Sequence, residues 1–309
     1  MLKYVIKRLI LIIPVIIGIT LFIFLILTLA PGDPAAMIVG PDATLDELEA
    51  KRFELGMHLH PLHRYLNYML GVLQGEWGTS WVTGNSVMDE FQQRVPNTFL
   101  LACMTLVLQT IMSIPLGITA AVNHNKPIDS ITLVFALIFC SLPFFWFAML
   151  MQITFALNLG LFPSMGAGTL RHFFLPALSL SVAGMAGGLR MCRASMLDVL
   201  NMDYVRTAHA KGAKGINVVR SHVIRNGMLP VVTGLGNGFA STFGGAIVTE
   251  TVFSIPGIGI YMITATRTRD VPVVMGVIIF VAIFVAVVNL LVDLIYAVID
   301  PRVKLGYKS

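Results

Sequence analysis

Charge is what this sequence has least of. Asp, Glu, Lys and Arg together make up 12% of its 309 residues, against about 25% in an ordinary soluble domain. With 56% hydrophobic residues and a mean hydropathy of +0.83, that deficit excludes a soluble globular enzyme and points to a chain that crosses a membrane several times. No G-x-x-x-x-G-K-[ST] run is present, which argues against nucleotide hydrolysis by this chain. No TVGYG-like run is present either, which argues against a potassium filter. The three cysteines, Cys103, Cys140 and Cys192, form no CxxC pair and sit in or beside apolar runs, where Cys packs as a small hydrophobe. No soluble basic domain accompanies the net charge of +5, so nucleic acid is not an expected partner.

A helix needs about 20 apolar residues to cross the hydrocarbon core. Six segments qualify: 9–30, 98–122, 130–157, 173–192, 229–252 and 272–297. The first follows Lys3, Lys7 and Arg8; it is long enough to span, and no small-residue cleavage site precedes Pro31, so it is expected to be retained as a helix. Lys and Arg mark the cytoplasmic side. They cluster at the N-terminus, between Arg190 and Arg225 (seven basic residues against Asp198 and Asp203), and in the tail at Arg302, Lys304 and Lys308. Residues 31–97 carry four basic residues against nine acidic ones. Both termini and the loop 193–228 are therefore expected in the cytoplasm, and 31–97 outside. The expected organisation is residues 1–30 as tail and first span, 31–97 as an outer helical loop, and 98–309 as a membrane core carrying the cytoplasmic loop 193–228.

Within the outer loop, Thr44 and Glu47 have the spacing of a capping box, and Gly56 is placed to end the helix. A second amphipathic segment is expected over Pro61–Leu73. Trp77 and Trp81 fit helices at the outer membrane surface, either as a cap packed over the spans or as a platform for an external partner. In the cytoplasmic loop, Asp203 is placed to cap a short helix through Lys211, Gly212 to stop it in the left-handed conformation, and a second helix is expected over Ile216–Arg225. Ala208 and Ala210 are small enough for close approach by a partner groove. His209 and His222 lack metal-ligand spacing and read as surface or docking residues. Glu250 and Asp293 are ionisable residues inside spans, and such residues are either helix-end pairs or parts of a path or gate.

The stretch YVRTAHAKGAKGINVVRSHVIRNGMLP, Tyr204 to Pro230, resembles the cytoplasmic coupling loop of permease subunits of bacterial ATP-binding-cassette importers. Arg206-Thr207-Ala208, Gly212 and Leu229-Pro230 stand at the positions of that family's Glu-Ala-Ala, Gly and Leu-Pro motif. The missing Glu and the long spacing to Leu-Pro are similar to the dipeptide, oligopeptide and nickel branch. So are Ala30-Pro31-Gly32-Asp33-Pro34, Leu55-Gly56 with Pro61 and Arg64-Tyr65, Pro115-Leu116-Gly117, Ser141-Leu142-Pro143, Phe162-Pro163, Phe253–Gly259, Asn289-Leu290 with Asp293, and Asp300-Pro301-Arg302.

The resemblance implies an all-α membrane protein of six spans with the type I importer permease fold. It implies a homologous second permease, two cytoplasmic ATPase subunits that bind ATP and Mg2+, and an extracytoplasmic solute-binding protein, with no cofactor in this chain. Tyr204, Val205, Arg206, Thr207, Ala208, His209, Ala210, Lys211 and Gly212 would dock on the ATPases. Glu250, Pro256, Gly257 and Asp293 become candidates for the path or gate. Di- and oligopeptides are the expected cargo; nickel or metallophore complexes, glutathione and some glycosides are alternatives. An ion-coupled secondary transporter is the competing class, and would need more midplane charge or repeat symmetry than the sequence shows; a channel or scaffold without energy coupling is a third.

Overall fold

A computed structural model describes residues 2–299, and the tail residues Arg302, Lys304 and Lys308 lie outside them. The described chain is helical. Its elements are α1 (Leu2–Leu29), α2 (Pro34–Val39), α3 (Leu45–Glu54), α4 (Pro61–Leu73), α5 (Val87–Val122), α6 (Pro127–Ser141), α7 (Phe144–Met151), α8 (Leu170–Leu200), α9 (Asp203–Ala210), α10 (Gly215–Val218), α11 (Arg225–Gly245), α12 (Ile247–Val252), α13 (Ile258–Arg267) and α14 (Val271–Ile299). π-Helical turns extend α7 through Gln152–Asn158 and join α10 to α11 through Val219–Ile224.

Among the described residues, four helices are long and apolar enough to cross a membrane: Ile10–Leu29 of α1, α5, α8 and Val271–Ile295 of α14. The expected span 130–157 is two helices, α6 and the α7 segment, bent by 92°. The reason is local. A residue before proline is driven out of the helical region, and Leu142 takes ψ 132° ahead of Pro143. The expected span 229–252 falls on α11 and α12, which meet at Ala246. Asn226, Asn237, Ser241 and repeated glycines lower the apolar character of α11. Upstream, α5 begins at Val87, earlier than the apolar run near 98, because its first turns are amphipathic, with Asp89, Glu90 and Arg94.

The chain divides into two compact units. One holds residues 2–98 and 256–286, the other 99–255 and the segment from 287. In the first unit, α4 packs on α1. Tyr65 Oη donates to the Ile17 carbonyl at 3.1 Å and lies 2.9 Å from Thr20 Oγ1. The expected capping box is present, with Thr44 N–H donating to Glu47 Oε2 at 2.8 Å and Glu47 N–H to Thr44 Oγ1 at 3.4 Å; those bonds hold the Glu47 carboxyl below its ordinary pKa. Gly56 stops α3 at φ +67°. Two residues after α13 tie distant segments together. Arg269, itself at φ +55°, donates to the carbonyls of Ala30 (3.1 Å), Pro31 and Gly32 (3.0 Å) at the end of α1. Buried Asp270 accepts from Ser80 Oγ, from Trp81 N–H at 3.1 Å and from Val82 N–H at 3.4 Å.

In the second unit the helices approach through small residues. Lipid is as apolar as leucine, so helices in a bilayer associate through close packing rather than the hydrophobic effect. A methyl group on Gly184 would meet Gln109, one on Gly188 would meet Ser113, and one on Gly117 would sit 2.6 Å from Cys192 Cβ. Positions 109, 113 and 117 of α5 thus run alongside 184, 188 and 192 of α8 at i, i+4, i+8 spacing, so the two helices are parallel. α11 meets α8 the same way, with Gly227 against Met196 and Gly234 against Met191, and Ser195 Oγ donating to the Gly227 carbonyl at 2.7 Å.

Candidate functional site

The residues after α8 form one compact structure at its end. The chain leaves α8 at Leu200, turns through Asn201 and Met202, and enters α9. Met202 is the N-cap, extended at ψ 146°, and its side chain makes no capping bond. Asp203, expected as the cap, is instead the first helical residue, 3.8 Å from Arg206; there its negative charge still complements the helix N-terminus. α9 ends as the sequence predicts. Gly212 takes φ +83°, its N–H donates to the His209 carbonyl at 2.9 Å, and the Ala213 N–H donates to the Ala208 carbonyl at 3.3 Å. These paired bonds satisfy carbonyls that a helix end leaves free.

One side chain anchors this helix. Val205 is buried in a cluster with Ala121, Cys192, Met196, Val199, Val218, Val223 and Val231, and Ala208 packs against the same cluster. Ala208, half-buried, packs on the chain's own core on one side. Tyr204, Arg206, Thr207, His209, Ala210, Lys211 and Gly212 are all exposed. Beyond Gly212 the chain does not form a helix ending at Arg225. α10, the π-helical turns and α11 run on without a break; tertiary packing, with the Val218 and Val223 side chains buried, overrides the low helix propensity of Pro230 and the repeated glycines. His222 and Asn226 meet Tyr204 across the turn, with Asn226 Nδ2 donating to Tyr204 Oη at 3.2 Å and the Tyr204 and His222 rings 6.5 Å apart.

The base of this structure is fixed by an ion pair that charge counting did not single out. Arg193, on α8, reaches the first turn of α6, with Nε 2.7 Å from Asp129 Oδ1 and Nη2 2.7 Å from Oδ2. His124 Nδ1 lies 3.0 Å from Arg193 Nη2 and 3.2 Å from Asp129 Oδ2. The bidentate geometry is the strong form of the carboxylate–guanidinium pair. A basic residue read as a topology marker thus also bolts α6 to α8.

The path candidates do not form one cluster. Glu250, fully buried, lies in α12 beside buried Thr249, and its carbonyl accepts from Ile255 N–H at 2.9 Å. The segment after it is latched to the loop that follows the bent span. Gln152 Nε2 donates to the Ser164 carbonyl at 2.8 Å and to the Val252 carbonyl at 3.1 Å, and Gly166 N–H donates to Phe253 O at 3.0 Å. In the other unit, Pro256 and Gly257 are held against the start of α5. Asn97 Nδ2 donates to the Pro256 carbonyl at 2.9 Å, and Ile258 N–H donates to Thr98 Oγ1 at 2.9 Å. Asp293 is half-buried on α14, next to Val292, whose Cγ2 lies against Gly236 of α11. Sequence reading missed Gln152, Asn97 and Thr98. The available signal for Gln152 was a lone amide inside an apolar run, since a buried amide needs partners. Among the described residues, no group of His, Cys, Asp and Glu is arranged to hold a metal ion.

Residues 113–305 match the model of the family described as binding-protein-dependent transport system inner membrane component, and residues 1–102 match its N-terminal companion. The glutathione transport system permease protein GsiC of Escherichia coli strain K12 is 38% identical over 98% of this chain and 99% of its own length. The protein of the same name from Shigella dysenteriae serotype 1 is equally similar over the same spans. Among solved structures, the inward-facing MetNI methionine ABC transporter matches at TM-score 0.61 and 16% identity, over 69% of this chain and 97% of that chain. An amino acid ABC transporter with histidines matches at TM-score 0.52 and 14% identity, over 68% and 94%. The chain belongs to the binding-protein-dependent transport family: it is an inner-membrane permease subunit of an ABC importer, with the type I fold, and a transport subunit rather than an ATPase. Membership implies ATPase and solute-binding partner proteins.

Proposed function

We propose that this chain lines one half of an import path for short peptides, glutathione (a tripeptide) among them, and that α9 is where the cytoplasmic ATPases act on it. The observation that carries the coupling role is the form of α9. It is an eight-residue helix that keeps Val205 in the protein's own core and turns Tyr204, Arg206, Thr207, His209, Ala210, Lys211 and Gly212 outward. A helix held by packing at Val205 and Ala208 and by the Asn226–Tyr204 bond, and stopped by a rigid turn, moves as a body with the helices beneath it. A push on it passes through Val205 to α8 and α11, and through Arg193 to α6.

In this reading a homologous permease supplies the other half of the path, and two ATPase subunits holding ATP and Mg2+ close beneath α9. A solute-binding protein delivers cargo on the opposite side, where the acidic 31–97 loop lies. ATP binding selects the outward-open state, and the solute moves because the two states differ in affinity for it. The turn from Phe253 to Gly259, latched by Gln152 on one side of Ile255 and by Asn97 and Thr98 on the other, is the candidate gate segment; Glu250, on the helix just before it, and Asp293, on α14, are separate path candidates. The relative's glutathione name supports a peptide-sized cargo.

The test is co-purification from the native membrane, then reconstitution in proteoliposomes. Recovery with a second permease and Walker-motif ATPases, with ATP turnover raised by binding protein loaded with glutathione or a dipeptide, is the expected result. Uptake by this chain alone, without ATP, would overturn it.

A further inference from the structure

Among the described residues, a charged side chain of the outer loop has no ion-pair partner. Arg64, on α4, is half-buried in a pocket lined by Phe24, Leu59, Tyr68, Trp81, Val271 and Pro272. Its guanidinium carbon lies 5.8 Å from the Phe24 ring centre and 5.9 Å from that of Trp81. Among the described residues it makes no ion pair. Glu54 also lines the pocket, but its Oε1 is held by Lys51 Nζ at 2.8 Å, and Tyr68 Oη is spent on the Pro272 carbonyl at 3.2 Å. A guanidinium carries five donors in a planar fork. Aromatic faces satisfy part of its charge and none of its hydrogen bonds.

The pocket's depth identifies what supplies the missing acceptor. Phe24 lies five residues before the end of α1 at Leu29, about 7–8 Å along the helix axis. Tyr65, the neighbour of Arg64, is bonded to Ile17 and Thr20, about 14–18 Å from that end. α4 therefore lies along the outer part of a membrane-crossing helix. Its free face is apolar. Leu62, Leu66 and Leu70 are each about half exposed and Leu73 more so, a stripe at i, i+4, i+8 and i+11. α1 exposes Ile19, Phe22 and Ile26 at the same level. A bilayer has to cover α1, and the leucine stripe continues that surface.

We propose that α4 is seated in the outer leaflet with its leucine stripe toward the hydrocarbon, and that Arg64, on the side of α4 away from that stripe, binds the phosphate of a phospholipid. The aromatic lining orients the guanidinium, Asn67 at the pocket wall offers a further amide donor, and the lipid oxygens satisfy the fork. The choice of the outer leaflet rests on the charge-based orientation proposed above. The phosphate site itself needs neither that orientation nor the transport reading, so it can fail or hold separately from both.

Native mass spectrometry of the purified protein in mild detergent, titrated with phosphatidylglycerol, tests this. Wild type is expected to retain one lipid about tenfold or more tightly than Arg64→Gln, the loss typical of a charge-assisted bond, and Arg64→Lys is expected to keep most of that gain. Diacylglycerol, with the same chains and no phosphate, is expected not to compete. Equal retention by wild type and Arg64→Gln would overturn the proposal, as would competition by diacylglycerol at equal potency. Displacement of the lipid by inorganic phosphate at the lipid's own concentration would also overturn it, because the pocket would then take a soluble anion. If Arg64→Gln does not fold, the diacylglycerol comparison on wild type decides alone.

Discussion

Replacing Gly212 tests whether the rigid end of α9 transmits force. At φ +83°, and with nothing within 4 Å of where a Cβ would sit, the site penalises side chains through backbone conformation alone. Alanine pays the left-handed cost of about 1–2 kcal/mol. Asparagine, which visits that region more readily, pays less. Proline has φ fixed near −65° and no N–H, so it loses the bond to His209 and the conformation that lets Ala213 reach Ala208. Two solvent-exposed backbone bonds contribute about 1–3 kcal/mol net. That loss is local, since Val205 remains packed. The expected series in uptake of radiolabelled peptide by whole cells is Asn near wild type, Ala reduced, and Pro abolished, with membrane abundance on immunoblots unchanged throughout. Basal ATPase activity of the purified Pro complex is expected to lose its stimulation by loaded binding protein. Normal uptake by Gly212→Pro would refute the coupling role of α9.

Other perturbations read different parts of the fold. Asp129→Ala strands the Arg193 fork in a largely buried site and is expected to cost about 3 kcal/mol in detergent thermal melts, most of it recovered in Asp129→Leu/Arg193→Met; no recovery in the double variant would mean the pair is not the source. Gly117→Val drives a side chain into Cys192 and the Leu189 carbonyl and is expected to destabilise by about 1–3 kcal/mol or more, whereas the same change at Gly187, where nothing lies within 4 Å, leaves the melting temperature unchanged. Asp270→Ala orphans the Trp81 amide and leaves the Val82 amide only Ser80 Oγ as acceptor, and is expected to increase protease cutting in residues 79–86. Tyr261 has its hydroxyl buried without a hydrogen-bond partner, and burial, reinforced by Glu90 and Asp270, pushes its pKa up to about 12. A raised folded pKa means its contribution is intact below pH 10 and is lost as pH rises from 10 toward 12; Tyr261→Phe is expected to abolish that alkaline component while leaving stability at pH 7 the same or slightly higher.

Much of the candidate site was legible because it depends on local rules. Gly56 and Gly212 stop their helices with positive φ, and Thr44 with Glu47 closes the capping box, since a few residues decide each of these. The bend at Pro143 was written in the sequence as well, but its size was not: a proline inside a membrane helix ranges from a mild kink to a full break, and neighbouring helices choose between them. The Asp129–Arg193 pair and the Gln152 latch join residues far apart in sequence, and no window of the sequence contains both partners. Gly117 of α5 and Gly184, Gly187 and Gly188 of α8 are visible in the sequence, but which residue each meets depends on how the helices cross.

The clamp of Arg269 on the end of α1 also sets an order of events. Arg269 lies 239 residues after Ala30 in the chain. At about 5–20 residues per second, the ribosome finishes α1 roughly 10–50 s before it makes the side chain that caps it. Through that interval the carbonyls of Ala30, Pro31 and Gly32 must find other donors, at the membrane surface or in the insertion machinery. The first helix therefore enters the bilayer with its outer end unsecured, and the turn just before the last span locks it. A chain cut short before residue 269 would leave that end open, which gives quality-control proteases a place to distinguish an unfinished chain from a complete one.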